Sequence, residues 1–234
     1  MVLSVAKRQF GVSTHLYQSQ RLSREHLLEI AAHGFEAVEL FATRTHFDYH
    51  NELAVADLQQ WLAEAGLDLH NVVVPPDDDP EQAVLIARRI PVKVVVIHAG
   101  PPRDTAKTID RLSEAAAPLH VGLAIDSRSM SPIGSLVHFV ETASDARVGI
   151  CFDFEHAQRT GDVIDALETA SEHLVAARMP TEGAIDWASA LTTLQKIGYE
   201  GSLTIDASTR GTGKERLVRA KAAREKMERW LTST

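Results

Sequence analysis

The stretch GICFDFEHA, residues 149–157, joins two different chemistries. GICF is apolar without interruption, the pattern of a β-strand covered on both faces, as in a parallel sheet beneath helices. Asp153 then closes the run, and His156 follows three residues later. A buried strand ending in a carboxylate and then an imidazole raises the question of what that pair serves.

Working outward, the same unit recurs. FGVSTH (10–15), EAVELF (36–41), LDLHNVVV (67–74), KVVVIH (93–98), VGLAID (121–126), RVGICFD (147–153), HLVAAR (173–178) and SLTID (202–206) read as strands. Helical runs fit between them. One follows Ser23 as N-cap and stops at Gly34; another covers about 53–65 and stops at Gly66; Gly198 ends a third just before SLTID. Glycine after a helix takes the left-handed conformation that turns the chain back at little cost. Asp79-Pro80 and Ser131-Pro132 each read as an N-cap with proline at the first helical position. Eight strand–helix cycles predict a single (β/α)8 barrel domain over residues 1–234, with an open doubly wound sheet as the alternative.

Composition agrees with one soluble domain. The 234 residues are 44% hydrophobic and 24% charged. The formal net charge is −8, with no dense basic cluster ahead of the C-terminal helix, which argues against a nucleic-acid partner. The lone Cys151 rules out an intrachain disulfide and points to the cytoplasm. It lies inside the sixth strand, where burial makes it inert. MVLSVAKRQFGVS lacks the apolar core of a signal peptide, and no run reaches membrane-spanning length.

Barrel chemistry sits where strands end and βα loops begin. Those ends carry His15, Glu39, His98, Asp126, Asp153 (with His156 just beyond), Arg178 and Asp206. Oxygen and imidazole ligands facing one pocket suit Mn, Mg or Zn. A single aspartate at such a place is more often a helix N-cap; the convergent set is what suggests a site. In TRTHFDYH (43–50), Arg44 and His46 are candidates for binding sugar hydroxyls or a phosphate, with surface-loop polarity as the equal alternative. Trp61 and Trp187 read as packing residues, PPDDDPEQ (75–82) as a cap, and KERLVRAKAAREKMERWL as a barrel-covering helix.

The sequence resembles the xylose isomerase-like barrels, a family that includes sugar-phosphate isomerases and epimerases and endonuclease IV-type enzymes. The resemblance runs through GFEAVELF (34–41), VVVIHAGP (94–101), GICFDFEHA, GAIDW (183–187) and IGYEGSLTID (197–206). It implies a divalent metal (Mn, Mg or Zn) held at the ends of strands 5 to 8, usually by Glu, Asp, His and Glu. By position these fall on Asp126, Asp153, Arg178 and Asp206. The resemblance also implies substrate contacts at His156 and His98, with Glu39, Arg44, His46 and Arg178 as further substrate-binding candidates. Asp126 and Asp206 would then move the proton next to the carbonyl of a small sugar or sugar phosphate. Relatives often self-associate, so a homo-oligomer stays open; neither nucleic acid nor membrane is expected as a partner.

The departures fall at the same face. Arg178 occupies the usual histidine position, and a guanidinium has donors only, so it cannot ligate a cation. Asp126 and Asp206 are a methylene shorter than the usual glutamates. Val73 stands where a strand-3 histidine is common, with His70 three residues too early, and the loops after strands 3 and 7 are short. Three readings follow: a metal-dependent sugar isomerase or epimerase; a barrel of the same family, natural or engineered, whose site has lost the metal; and an endonuclease IV-like phosphodiesterase. The missing histidines and the acidic charge place the last of these lowest. Aspartates clustered at one rim repel unless something positive stands among them. The expected arrangement has Arg178 forked among the carboxylates.

Overall fold

The computed structural model describes residues 9–142, 148–207 and 210–232. Arg147, read above as opening the sixth strand, and the N-terminal residues 1–8 lie outside that set. The strands are β1 (Phe10–Ser13), β2 (Ala37–Phe41), β3 (Asp68–Val74), β4 (Val94–Ile97), β5 (Gly122–Asp126), β6 (Val148–Asp153), β7 (Leu174–Pro180) and β8 (Leu203–Asp206). Each pairs in parallel with the next, and β1 pairs with β8, so the eight form a closed barrel rather than an open sheet. The helices between them are α1 (Arg24–Ala32), α2 (Glu52–Ala65), α3 (Pro80–Val84), α4 (Pro102–Ala116), α5 (Ile133–Thr142), α6 (Phe154–Thr160), α7 (Val163–Ala170), α8 (Trp187–Lys196) and α9 (Gly213–Thr232). None of the described helices is long and apolar enough to cross a membrane.

The helix ends follow local chemistry. Asp79 caps α3, accepting from the backbone N–H of Glu81 and Gln82, with Pro80 at the first position. Gly66 closes α2 at φ 64°, a conformation that a side chain would strain. The expected cap at Ser131 differs by one residue: α5 begins at Ile133, after a cis Ser131–Pro132 bond. At Gly149 the requirement is space. A Cβ there would lie 2.6 Å from a Val175 methyl and 2.7 Å from the His173 carbonyl oxygen. β6 therefore approaches its neighbour only with glycine at that point.

Two separate cores result from strand alternation. Outward-facing residues such as Val72, Ile125, Ile150 and Ile205 pack under the helices, where Leu27, Ile30, Leu58, Ile109, Leu136 and Leu167 are fully or almost fully buried. Trp187 packs its ring 5.2 Å from that of Phe154 in this layer. Inward-facing residues form a small second cluster of Val73, Val94, Val96, Ala124, Cys151 and Ala176. These fill the lumen. Moving two residues toward the C-terminal end keeps a side chain on the lumen face. From Val96, Ala124, Cys151 and Ala176 that step reaches His98, Asp126, Asp153 and Arg178. The apolar lumen thus ends in a layer of charge.

Candidate active site at the barrel mouth

β7 runs two residues beyond Arg178 to Pro180, which registers with Asp206. Arg178 therefore does not end its strand but sits below the rim, 2% exposed. Its Nε donates to both oxygens of Glu39, at 3.0 and 3.1 Å, and its Nη1 donates to Asp126 Oδ2 at 2.7 Å. Nη2 is buried without a hydrogen-bond partner. Glu39 is itself 1% exposed and takes a 3.4 Å contact from Asn71 Nδ2, which also reaches Thr204 Oγ1. A register shift between Val38 and Glu39 re-aims β2 at this point.

A second arginine completes the arrangement. Asp126 Oδ1 accepts the backbone N–H of Arg128, which folds the chain into a tight turn after β5. That turn brings the Arg128 guanidinium back onto the same carboxylate: Nε lies 3.0 Å from each oxygen and Nη2 2.6 Å from Oδ2. Arg128 Nε also lies 3.6 Å from Asp153 Oδ2. The sequence reading allowed Arg178 or a metal as the positive partner of the rim and passed over Arg128. The signal was present in IDSRS, where an Asp two residues before an Arg can close an Asx turn.

These contacts set the ionisation of the rim. Burial pushes the Asp126 carboxyl up, but Arg178 and Arg128 together outweigh it and hold the group far below the usual range. Burial works against the charge of Arg178, yet Glu39 and its other anionic neighbours keep it protonated. Asp153 is the opposite case. Burial raises its carboxyl despite the bond from the His156 backbone N–H and the nearby Arg128. Asp153 is an N-cap after all: its Oδ1 accepts the His156 N–H at 2.8 Å, starting α6. Burial of His98 lowers its imidazole, Arg128 and Arg178 lower it further, and Asp126 opposes them. Its Nε2 lies 3.5 Å from Asp126 Oδ2 and its Nδ1 3.4 Å from Ser129 Oγ.

His15 and Asp206 form a separate pair at the mouth. His15 Nδ1 lies 3.2 Å from Asp206 Oδ1, each side chain is 22% exposed, and the His15 ring leans on Phe41 at 4.5 Å. Burial raises the Asp206 carboxyl, but His15 and the two arginines bring it below its ordinary value. The pair borders both lobes of one cleft. The inner lobe, about 340 Å³, is lined by Ser13, Glu39, Phe41, Val73, His98 and Arg178. The outer lobe, about 380 Å³, is lined by Glu155, Pro180, Thr181, Glu182 and Arg210 among others. His15, Arg128 and Asp206 are common to both.

Three of the expected residues stand elsewhere. His46 is 1% exposed, with Nδ1 on the Gln20 carbonyl at 2.7 Å and Nε2 near Thr14 Oγ1 at 3.2 Å. Its neighbours Phe47 and Tyr49 are buried, and His46 packs near Phe41 at 6.4 Å but lines neither lobe of the cleft. Arg44 is exposed and pairs loosely with Asp48 at 3.8 Å. In α6 the buried Phe154 and Ala157 face the core at i, i+3, which turns His156 toward another groove. That groove, about 210 Å³, lies between α5 and α7 beside Met130, Ile133 and Asp165.

The rim residues do not fit a divalent cation. Asp126 has both oxygens committed to guanidinium and backbone donors, and Arg178 brings a fixed positive charge to the position a ligand would need. Among the described residues no cluster of three or more His, Cys, Asp or Glu side chains is disposed to hold a metal.

Solved structures share this architecture. D-psicose 3-epimerase with D-tagatose from Clostridium cellulolyticum H10 superposes with a TM-score of 0.79 at 15% identity, covering 95% of this chain and 99% of its own. A D-tagatose 3-epimerase-like protein gives 0.78 at 20% identity, covering 96% and 97%. IOLI protein, solved with a binding zinc atom, gives 0.73 at 16% identity, covering 94% and 98%. At these identities the likeness is one of fold. No curated protein sequence matches the chain. The family profile described as xylose isomerase-like TIM barrel matches residues 27–234, nearly all of the closed barrel and its mouth, and the chain belongs to that family.

Proposed function

We infer that the mouth takes a small sugar or sugar phosphate and isomerises it by moving a proton next to a carbonyl, with Arg178 and Arg128 in place of a divalent cation. Family membership and epimerase-like neighbours support the substrate class. A cleft of this size with a few convergent polar groups suits a ligand of a few carbons. The observation that carries the cation-free reading is the Arg178 fork onto Glu39 and Asp126.

The arrangement divides the work among the chain's own residues. Arg128, partly exposed beside the cleft, places guanidinium N–H donors where a carbonyl oxygen gathers charge. Arg178 and Glu39 hold the floor of the mouth rigid. Asp126, ionised and saturated with donors, orients the arginines and is a poor base. Phe41 and Val73 offer the apolar wall for carbon-bound hydrogens.

Metal analysis tests this reading, together with calorimetric titration of manganese and zinc into the unmodified protein and into Arg178→His. The unmodified protein should bind neither metal tightly, and D-tagatose or D-fructose should bind equally well with or without chelator. One tightly bound metal that is lost on Asp153→Asn would overturn it.

A further inference from the structure

We propose that His15, oriented by Asp206, is the proton-transferring group of the mouth, and that it works on one face only, so the reaction is aldose–ketose isomerisation and not epimerisation. The proposal rests on the cation-free reading above and adds the base and the stereochemical class.

The argument is one of elimination by geometry. Glu39 has both oxygens on Arg178 Nε. Asp126 is 0% exposed and bound by two arginines. Asp153 gives Oδ1 to the α6 N-terminus and faces Arg128 with Oδ2. His98 has both ring nitrogens directed at protein partners. Glu155 and Glu182 border only the outer lobe. Among the inner groups only the His15–Asp206 pair combines exposure with a free proton-accepting atom. Asp206 Oδ2 belongs to a carboxylate held below its ordinary value and is a weak base, whereas on His15 Nδ1 is taken by Asp206 and Nε2 has no partner among the described residues. With the Nδ1 proton donated to the carboxylate, Nε2 carries the lone pair. A carboxylate behind an imidazole fixes both tautomer and ring orientation, so Asp206 is the positioning residue.

The step balances without a co-reactant. His15 Nε2 takes a C1 proton from a ketose, the C–H electron pair becomes a C1=C2 bond, and the carbonyl pair moves onto O2 beside Arg128. The imidazolium then returns its proton to C2 on the same face, while the O1 hydroxyl proton passes to O2 and the O1 pair closes the new carbonyl. The product is the aldose. Inverting a single carbon would need a second base on the opposite face; Glu39, Asp126, Asp153 and His98 are already engaged, and Asp206 sits against His15 on the same side.

The test is proton NMR of dihydroxyacetone, D-erythrulose, D-ribulose and D-fructose, each free and with a terminal phosphate, incubated with chelator-treated protein in D2O. The expected result is deuterium at one of the two C1 hydrogens of at least one ketose, with its aldose appearing and no C3 epimer. His15→Ala should slow exchange about 10²- to 10⁴-fold, the usual worth of a positioned base. Added imidazole should restore part of the rate, which a structural role would not predict. Asp206→Asn should lower kcat far more than it changes KM. His15→Gln, which retains a planar side chain against Phe41, provides the same comparison should the alanine variant fail to fold. Absence of exchange in every sugar, exchange that survives His15→Gln, or a C3 epimer overturns the proposal. Tight metal binding by the unmodified protein instead overturns the reading beneath it.

Discussion

Replacing Arg178 with methionine isolates what the buried network contributes. Methionine fills much of the arginine volume, so the change chiefly removes charge and donors. Three charge-assisted contacts disappear: two to Glu39 at 3.0 and 3.1 Å and one to Asp126 at 2.7 Å. Asp126 keeps Arg128. Glu39 keeps only a long contact from Asn71 in a site with 1% exposure. Breaking a buried pair from one side costs about 3–5 kcal/mol, because the remaining charge stays desolvated. For a domain of this size that lowers Tm by about 6–20 °C.

The signature is coupling between the two side chains, read by urea unfolding at pH 7. In the variant Glu39 is left buried with one long contact from Asn71. Adding Glu39→Gln to Arg178→Met should recover part of the loss at pH 7 by removing the charge. A deficit below about 1 kcal/mol, unaffected by Glu39→Gln, would refute the claim that Arg178 neutralises this carboxylate.

His70 gives an independent pH effect at the other end of the barrel. Its ring is 1% exposed, accepts from Lys93 Nζ at 2.9 Å through Nε2, and is held by burial and Lys93 at about 4, down from 6.5. The folded state therefore binds fewer protons than the unfolded chain between those values. Stability is complete above pH 6.5 and falls by on the order of 3 kcal/mol by pH 4; His70→Leu should remove that part of the acid limb in urea titrations. Asp79→Ala should cost about 1 kcal/mol through loss of the α3 cap, read by thermal unfolding at pH 7. Gly149→Ala should cost several times as much as an exposed glycine-to-alanine change, because its Cβ meets backbone at 2.7 Å.

The strands were legible because each is an apolar run, and the rim because side chains on one face recur every second residue. His98, Asp126, Asp153 and Arg178 each follow a small lumen residue by that step. The reading was weakest where position depends on packing outside the strand. His46 read as a loop residue free to bind a ligand, but nothing in TRTHFDYH says that it is buried on the Gln20 carbonyl and the Thr14 hydroxyl beside buried Phe47 and Tyr49. His156 shares three residues of spacing with Asp153, yet the helix that Asp153 caps turns the imidazole away from the carboxylate side chain. Arg178 was expected among carboxylates, but its depth was not foreseen, because the strand end was set at Arg178 itself and not two residues later.

Charge counting accounts for how such a mouth keeps its scaffold. Glu39, Asp126, Asp153 and Asp206 bring four carboxyl groups to one end of the lumen; burial raises the Asp153 carboxyl, while cationic neighbours hold those of Asp126 and Asp206 below their ordinary values. Arg178 and Arg128 supply two fixed positive charges, the same formal charge as one divalent cation. The electrostatic problem of the rim is therefore solved in kind, and the strand ends need not change. The chemistry is not equivalent. A metal ion draws substrate oxygens into its own coordination shell and polarises them as a Lewis acid. A guanidinium offers only planar N–H donors in fixed directions. Most of those donors already face Glu39 and Asp126. Under the proposal above, what remains for a ligand is the outer edge of Arg128 and the imidazole of His15, one donor and one base, which would confine proton transfer to a single face.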